Sequence, residues 1–554
     1  MLSFQRLWHW TYRVTVIGLG IMVVATGGPG RAAAQDFDQT SCNEFRVAPR
    51  TVRDKPVGPV SCMMQETDVG LEGRTFRRLD MGIDGSVEGA VTKRSDTRAY
   101  FTNAPELVFP QIAGDGPYFS AVASYTGTRG ASMTVIYPLD AASWNGKMWV
   151  TAHGGEVALG LGLLPWHRNL DRKNPLKDLN DYDRVILSKG YALVKTRRPT
   201  VPVSGHNPAT GDDGTTLDGV AFTDTVRYIT DFTALAARAI AVRLGRPPSQ
   251  TYLYGHASGA SLAHSLNYTR GANGNSGGAR VFDGILADDA AAGVWLPMLL
   301  KSSQDSLLAT DAERADFVPQ IDVIHQMNND VWRERKAEDL SMSALANARR
   351  NAMVLREKGL GSKTRTYEVR GISREGGESL TREPGISHVD LSQLMASMID
   401  HLDKWVTKGT TPPATRSDSA ALAGTANKEV SQHAAIALPE VACPLGVYHP
   451  YPVPTAPRTA FAPFGATDLE PLDGAGGFVD MNGNGVRDRR EDATQAWRRL
   501  GLLRRGEELT QEKYTACVRA SADQLRLDGF LTDDGVKWYA DRASKASLSQ
   551  TSQR

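Results

Sequence analysis

The chain has 554 residues, enough for two to four domains at about 100–200 residues each, or for one large α/β domain with insertions. Apolar residues make up 41% and charged residues 23%, and the 53 glycines follow no triplet period, which excludes a collagen-like or wholly disordered chain. With 63 Lys and Arg against 62 Asp and Glu the net charge is +1, so no global basic field favours nucleic acid as a partner.

The first 34 residues read as an address. Arg6 and Arg13 precede the apolar run Val14–Ala25, and Ala32-Ala33-Ala34 offers a small-residue cleavage site before Gln35. That layout predicts a secretory signal peptide; the alternative is an uncleaved N-terminal anchor, for which the run is short. Removal takes away three arginines and no acid, leaving 60 basic and 62 acidic residues, net −2. A periplasmic or secreted product with no later membrane span is expected.

Export makes the cysteines legible as disulfides, since no Cys-x-x-Cys occurs. Four cysteines allow three pairings. The sequence-local ones, Cys42–Cys62 and Cys443–Cys517, are favoured because each ties down a segment outside the main periodic region. A link between the two termini is the alternative.

A loop-rich N-terminal extension is read up to about residue 115, followed by strands at Phe119–Tyr125 and Ala131–Tyr137. Strands and helices then alternate. Strands are expected at Lys147–Ala152, Tyr191–Thr196, Gln250–Tyr254, Phe282–Ala287, Ile321–His325 and Thr366–Val369. Helices are expected at Asn174–Lys189, Thr223–Leu244, from Gly259, at Met342–Lys358 and at Leu391–Thr407. Residues 292–318 break this rhythm and read as a cap insertion, residues 411–436 as a linker, and residues 437–545 as a smaller C-terminal unit. The alternation predicts an α/β fold with a mostly parallel sheet covered by helices on both faces.

The most informative stretch is Thr251-Tyr-Leu-Tyr-Gly-His-Ala-Ser-Gly-Ala260. A strand, then Gly-x-x-x-Gly, then a small-residue helix start is the layout of a nucleophile elbow, whose sharp turn demands small residues two before and two after the nucleophile. Gly255 and Gly259 satisfy that spacing around position 257, which is Ala. Ser258 as nucleophile would put His256 where the turn wants glycine. A Gly-rich turn with no chemistry behind it is the bland reading.

The rest of a catalytic apparatus follows in chain order. His153-Gly154-Gly155, after a strand, looks like an oxyanion-hole motif whose N–H groups would act with that of Ser258. Asp330 follows the Ile321–His325 strand, with Asp288 and Asp289 as rivals for the acid, and His388 precedes the last helix of the alternation. Trp166, His167 and Trp295 are candidate pocket residues, though buried aromatics are commonly plain core.

From these motifs the chain resembles the α/β-hydrolase superfamily over residues 115–410. Gly385–Pro413, with His388, Trp405-Val406 and Gly409-Thr-Thr-Pro-Pro, resembles the tail of secreted tannase and feruloyl-esterase enzymes. The resemblance implies a serine carboxylesterase acting on a small or oligomeric ester, with His388 as base, Asp330 orienting it, an acyl-enzyme at position 257 and no organic cofactor. Ala257 departs from that pattern and leaves the base no hydroxyl to activate. The chain is then a disarmed esterase or a ligand-binding pseudoenzyme on the same fold.

A separate motif lies in the C-terminal unit. Asp480, Asn482, Asn484, Val486, Asp488 and Glu491 occupy positions 1, 3, 5, 7, 9 and 12 of a calcium loop, with Gly485 at position 6. Three glycines before it weaken any entering helix, whereas Asp492–Leu503 can form the exiting one. A structural Ca²⁺ is expected, an Asn-Gly turn without metal being the alternative.

Overall fold

The computed structural model describes residues 51–52, 55–56, 61–84, 131–153, 179, 181–197, 222–256, 258–275, 278–288, 314–326, 344–372, 389–419, 435–449, 468–471, 492–546 and 548. Nine strands of these residues form one sheet: β1 Ser61–Leu71, β2 Arg74–Asp84, β3 Ala131–Pro138, β4 Lys147–His153, β5 Ala192–Arg197, β6 Gln250–His256, β7 Gly284–Asp288, β8 Gln320–His325 and β9 Thr364–Val369. Their spatial order is β9-β8-β7-β6-β4-β5-β3-β2-β1. From β9 through β5 every pairing is parallel, while β3, β2 and β1 add on antiparallel. The α/β architecture expected from the alternation is present.

Two strands of this sheet were not expected. The stretch read as loop-rich carries β1 and β2, an 11-residue hairpin arm on each side that extends the sheet beyond β3. Its two-residue turn, Glu72-Gly73, has φ 49° and 75°, the positive-φ pair whose twist matches flanking strands. A strand expected at Phe119–Tyr125 lies outside the described residues.

Strands β6, β7 and β8 are buried on both faces, as parallel strands covered by helices on each side are. Alternate residues serve two cores. Met148, Val150, Leu253 and Ile285 face α2 (Phe222–Leu244) and α3 (Ser258–Tyr268). Trp149, Tyr252, Leu286 and Val323 face α1 (Asp181–Ser188) and α5 (Ser392–Lys408). Helix α5 buries Leu394, Met395, Met398, Ile399 and Leu402 at three- and four-residue spacing, each side chain worth about 1.5–3 kcal/mol. Helix α4 (Ala344–Glu357) buries Leu355 in a smaller cluster with Tyr268, Phe317 and Leu360. Residues 314–318, the end of the expected cap insertion, thus pack against α3 and α4, with Arg314 donating to the Tyr268 carbonyl.

Beyond α5 the chain returns along β9, where Arg416 pairs with Tyr367 and Ile436 with Val369. That covers an edge strand that would otherwise offer unpaired backbone groups. Next come α6 (Pro439–Ala442), the hairpin β10 (Gly446–His449) and β11 (Asp468–Pro471), then α7 (Ala493–Arg499), α8 (Gln511–Leu527) and α9 (Asp533–Lys545). These helices share the α5-side core: Trp497, Tyr514, Phe530 and Tyr539 join the cluster of Tyr367 and Leu394. Phe530 meets the Tyr367 ring edge-on at 5.1 Å, and Arg416 pairs with Asp528. The expected Cys443–Cys517 disulfide is formed, tying the end of α6 to α8. Among the described residues no helix is long and apolar enough to cross a membrane.

Candidate active site

The elbow is built by sterics. Strand β6 ends at His256 and helix α3 begins at Ser258, so a single residue separates them. A Cβ on Gly255 would lie 2.3 Å from the Gly259 carbonyl oxygen, and one on Gly259 would lie 1.9 Å from the Ala152 oxygen. No side chain fits at either position, so the two glycines identified in the sequence are the ones the turn requires. The second contact presses the first turn of α3 onto the end of β4. His153 stands opposite His256 in the β4–β6 register, which brings the start of the His-Gly-Gly motif level with the elbow.

Most of the candidate site residues lie outside the described residues: Ala257, Gly154, Gly155, Asp330, His388, Asp289, Trp166, His167, Trp295 and the loop 480–491. The same holds for Cys42 and for the side chains of Cys62 and Ser258. What surrounds them is placed. Gln326 continues β8 toward Asp330 in sequence. Val389, next to His388, is buried, and Asp390 accepts from the Ser392 N–H at the start of α5 at 2.8 Å. Helix α7 begins one residue after Asp492, whose side chain accepts from the Gln495 N–H at 2.7 Å while Gln495 reaches back to the Asp492 N–H. The exiting helix expected over Asp492–Leu503 is therefore present but shorter.

Asp288, a rival for the acid role, is fully buried at the end of β7 and opposes His256 in register. Its Oδ2 receives the Tyr254 hydroxyl at 2.8 Å and lies 3.2 Å from His256 Nδ1, and its Oδ1 lies 2.7 Å from His325 Nε2. Burial alone would raise this carboxyl. The charge on His325 and hydrogen bonds from both histidines outweigh that and hold it far below the usual carboxylate range. An ionised carboxylate has only acceptors, so both facing imidazole nitrogens carry hydrogen.

A second buried carboxylate, Glu368 on β9, accepts from Arg349 at 2.6 and 3.1 Å, from the Ser417 hydroxyl at 2.6 Å and from Gln326 at 2.9 Å. Sequence reasoning passed over His325 and Glu368. The available signal was an ionisable residue at or next to the carboxyl end of a strand, and only strand order shows what such a residue faces.

A family model described as "Alpha/beta hydrolase domain" matches residues 183–539, more than half of the sequence. The chain belongs to the α/β-hydrolase family. The match runs from α1 into α9, so it takes in the C-terminal helices together with the sheet. No curated protein matches this chain. Among solved structures, a siderophore hydrolase, EstA, from Aspergillus nidulans is 14% identical with a TM-score of 0.25, over 43% of this chain and 83% of that one. A truncated carbohydrate esterase from gut microbiota is 11% identical with a TM-score of 0.31, over 50% and 91%. A fungal esterase from Rhizomucor miehei is 10% identical with a TM-score of 0.30, over 69% and 100%.

Proposed function

We propose that this α/β-hydrolase is an exported carboxylesterase scaffold, related to secreted enzymes of the tannase and feruloyl-esterase type, whose nucleophile position is held by Ala257. The observation that carries this reading is the elbow. Gly255 and Gly259 leave no room for a Cβ, a constraint that a sharp strand-to-helix turn needs and an ordinary strand end does not. In the proposed arrangement, backbone N–H groups of Gly154, Gly155 and Ser258 receive the developing oxyanion, His388 is the general base and Asp330 orients it. With a hydroxyl at position 257, His388 would take its proton as oxygen attacks the ester carbonyl. The same imidazolium would then protonate the departing alcohol, and water would release the acyl group. With alanine there, substrate binding and oxyanion stabilisation remain and the acyl-enzyme cannot form.

Export is supported by the layout of residues 1–34 and by the Cys443–Cys517 disulfide, which suits an oxidising compartment. A structural Ca²⁺ held by Asp480, Asn482, Asn484, the Val486 carbonyl, Asp488 and Glu491 is supported by the loop sequence and by helix α7 starting directly after it.

A second reading, a ligand-binding pseudoenzyme, is favoured by Ala257 itself. Hydrolysis of a panel of chromogenic acyl esters by this chain and by Ala257→Ser separates the two. Turnover by Ala257→Ser supports the esterase scaffold. Inertness on every ester, with retained binding of a small molecule, supports the pseudoenzyme.

A further inference from the structure

Asp288 does more than fill space between strands. A fully buried carboxylate is costly unless every lone pair is used, and an apolar residue of similar size would fill the volume at lower cost. Here the carboxylate joins three neighbouring strand ends. Tyr254 and His256 come from β6, Asp288 from β7 and His325 from β8. His256 is the last residue before the elbow, and His325 precedes Gln326, which is itself fixed by Glu368 and by Asp418 at 2.8 Å. Along the carboxyl edge of the sheet, Asp288 thus ties β6 and β7 to β8, and the next residue of the chain after His325 ties the end of β8 to β9. That is the edge from which the elbow and the segments leading to Asp330 and His388 depart.

We propose that Asp288 is a positioning residue that clamps the nucleophile elbow to the end of β8 through the His256–Asp288–His325 bridge. It needs no contact with substrate. Its catalytic consequence rests on the esterase reading, whereas its mechanical role rests on the geometry alone. Removing the clamp lets the β6 and β8 ends move independently. A misplacement of about 1 Å at a reacting centre costs on the order of 10²-fold in rate.

The test uses the full chain. In the Ala257→Ser background, Asp288→Asn should lower kcat about 10- to 100-fold with KM within about threefold, since the clamp orients the reacting group without binding substrate. His325→Leu should do the same, and His325→Gln, which keeps an N–H where Nε2 stands, should recover most of that loss. A residue with a merely structural role would lower the folded fraction without this split or this rescue. In the unaltered Ala257 chain, Asp288→Asn should speed backbone hydrogen exchange of residues 254–256, 287–288 and 324–325 about tenfold or more, leaving Met398 in α5 unchanged. If Asp288→Asn does not fold, the His325 pair is read by the same kinetics and exchange. If Ala257→Ser is inert on every ester, the esterase reading falls and exchange alone decides the clamp. Unchanged exchange, or unchanged kcat in an active Ala257→Ser chain, overturns the clamp.

Discussion

Raising the pH from 5 to 8 should loosen the C-terminal helices through one carboxyl group, Glu440 on α6. Burial pushes this group up to about 7 from an ordinary 4.5, although Arg542 donates to its Oε1 at 2.9 Å. Tyr539 lies near enough for the two groups to perturb each other. Even so, Glu440 Oε2 and the Tyr539 hydroxyl are buried without a well-formed hydrogen bond. A folded-state value above the unfolded one means that the native state holds the proton more tightly. Stability is then complete below about pH 4.5 and is lost as pH rises through about 7. The interval corresponds to about 3 kcal/mol, an upper bound because the Glu440 side chain keeps 12% of its surface in solvent, which lightens its desolvation. His401 on α5, which bonds the Gly529 carbonyl, acts in the opposite sense. Its imidazole is held below the usual value by burial, so it costs stability as pH falls below about 6.5.

The assay is backbone hydrogen exchange of α8 and α9 at pH 5, 6, 7 and 8, corrected for the intrinsic rate. Protection should fall by up to about 10²-fold between pH 5 and 8. Glu440→Gln should abolish that fall and leave the His401 slope of opposite sign. A flat profile in the unaltered chain, or an unchanged slope in Glu440→Gln, would refute the reasoning.

Four further outcomes are expected. Ala257→Ser should raise ester hydrolysis by orders of magnitude, given that removing the serine of one well-studied hydrolase cost about 10⁶ in turnover, whereas Ser258→Ala in that background should matter much less. Gly259→Ala should be strongly destabilising in thermal melts, because its Cβ would sit 1.9 Å from the Ala152 oxygen and the first turn of α3 must move. Cys443→Ser should lower the stability of the C-terminal helices by about 4 kcal/mol on chain-entropy grounds, the disulfide closing a sequence separation of 74 residues, as read by urea unfolding under non-reducing conditions. EDTA should lower the melting temperature and Asp480→Ala should remove that sensitivity; identical melts with EDTA and millimolar Ca²⁺ would count against the metal.

The sequence by itself determined the parallel part of the sheet, because strands that alternate with amphipathic helices of this length pack as a parallel sheet joined by helical crossovers. It also determined the elbow, since only glycine survives where backbone approaches within 2.3 Å, and such a spacing is visible in one dimension. The Cys443–Cys517 pairing was legible because both cysteines lie in one segment outside the main periodic region, which the bridge ties down. The β1–β2 hairpin was not legible. Its strands carry charges on both arms, and its turn is Glu-Gly rather than the usual Asn-Gly or Asp-Gly, so neither alternation nor turn chemistry marks it. Only the tertiary structure decided that the C-terminal helices share a core with Tyr367 and Leu394, because an apolar helix face does not say which surface it will cover. The Asp288 bridge belongs to the same class. His256, Asp288 and His325 are spread over 70 residues of sequence, and they meet because β6, β7 and β8 are neighbours in register, a relation set by sheet order that no local pattern encodes.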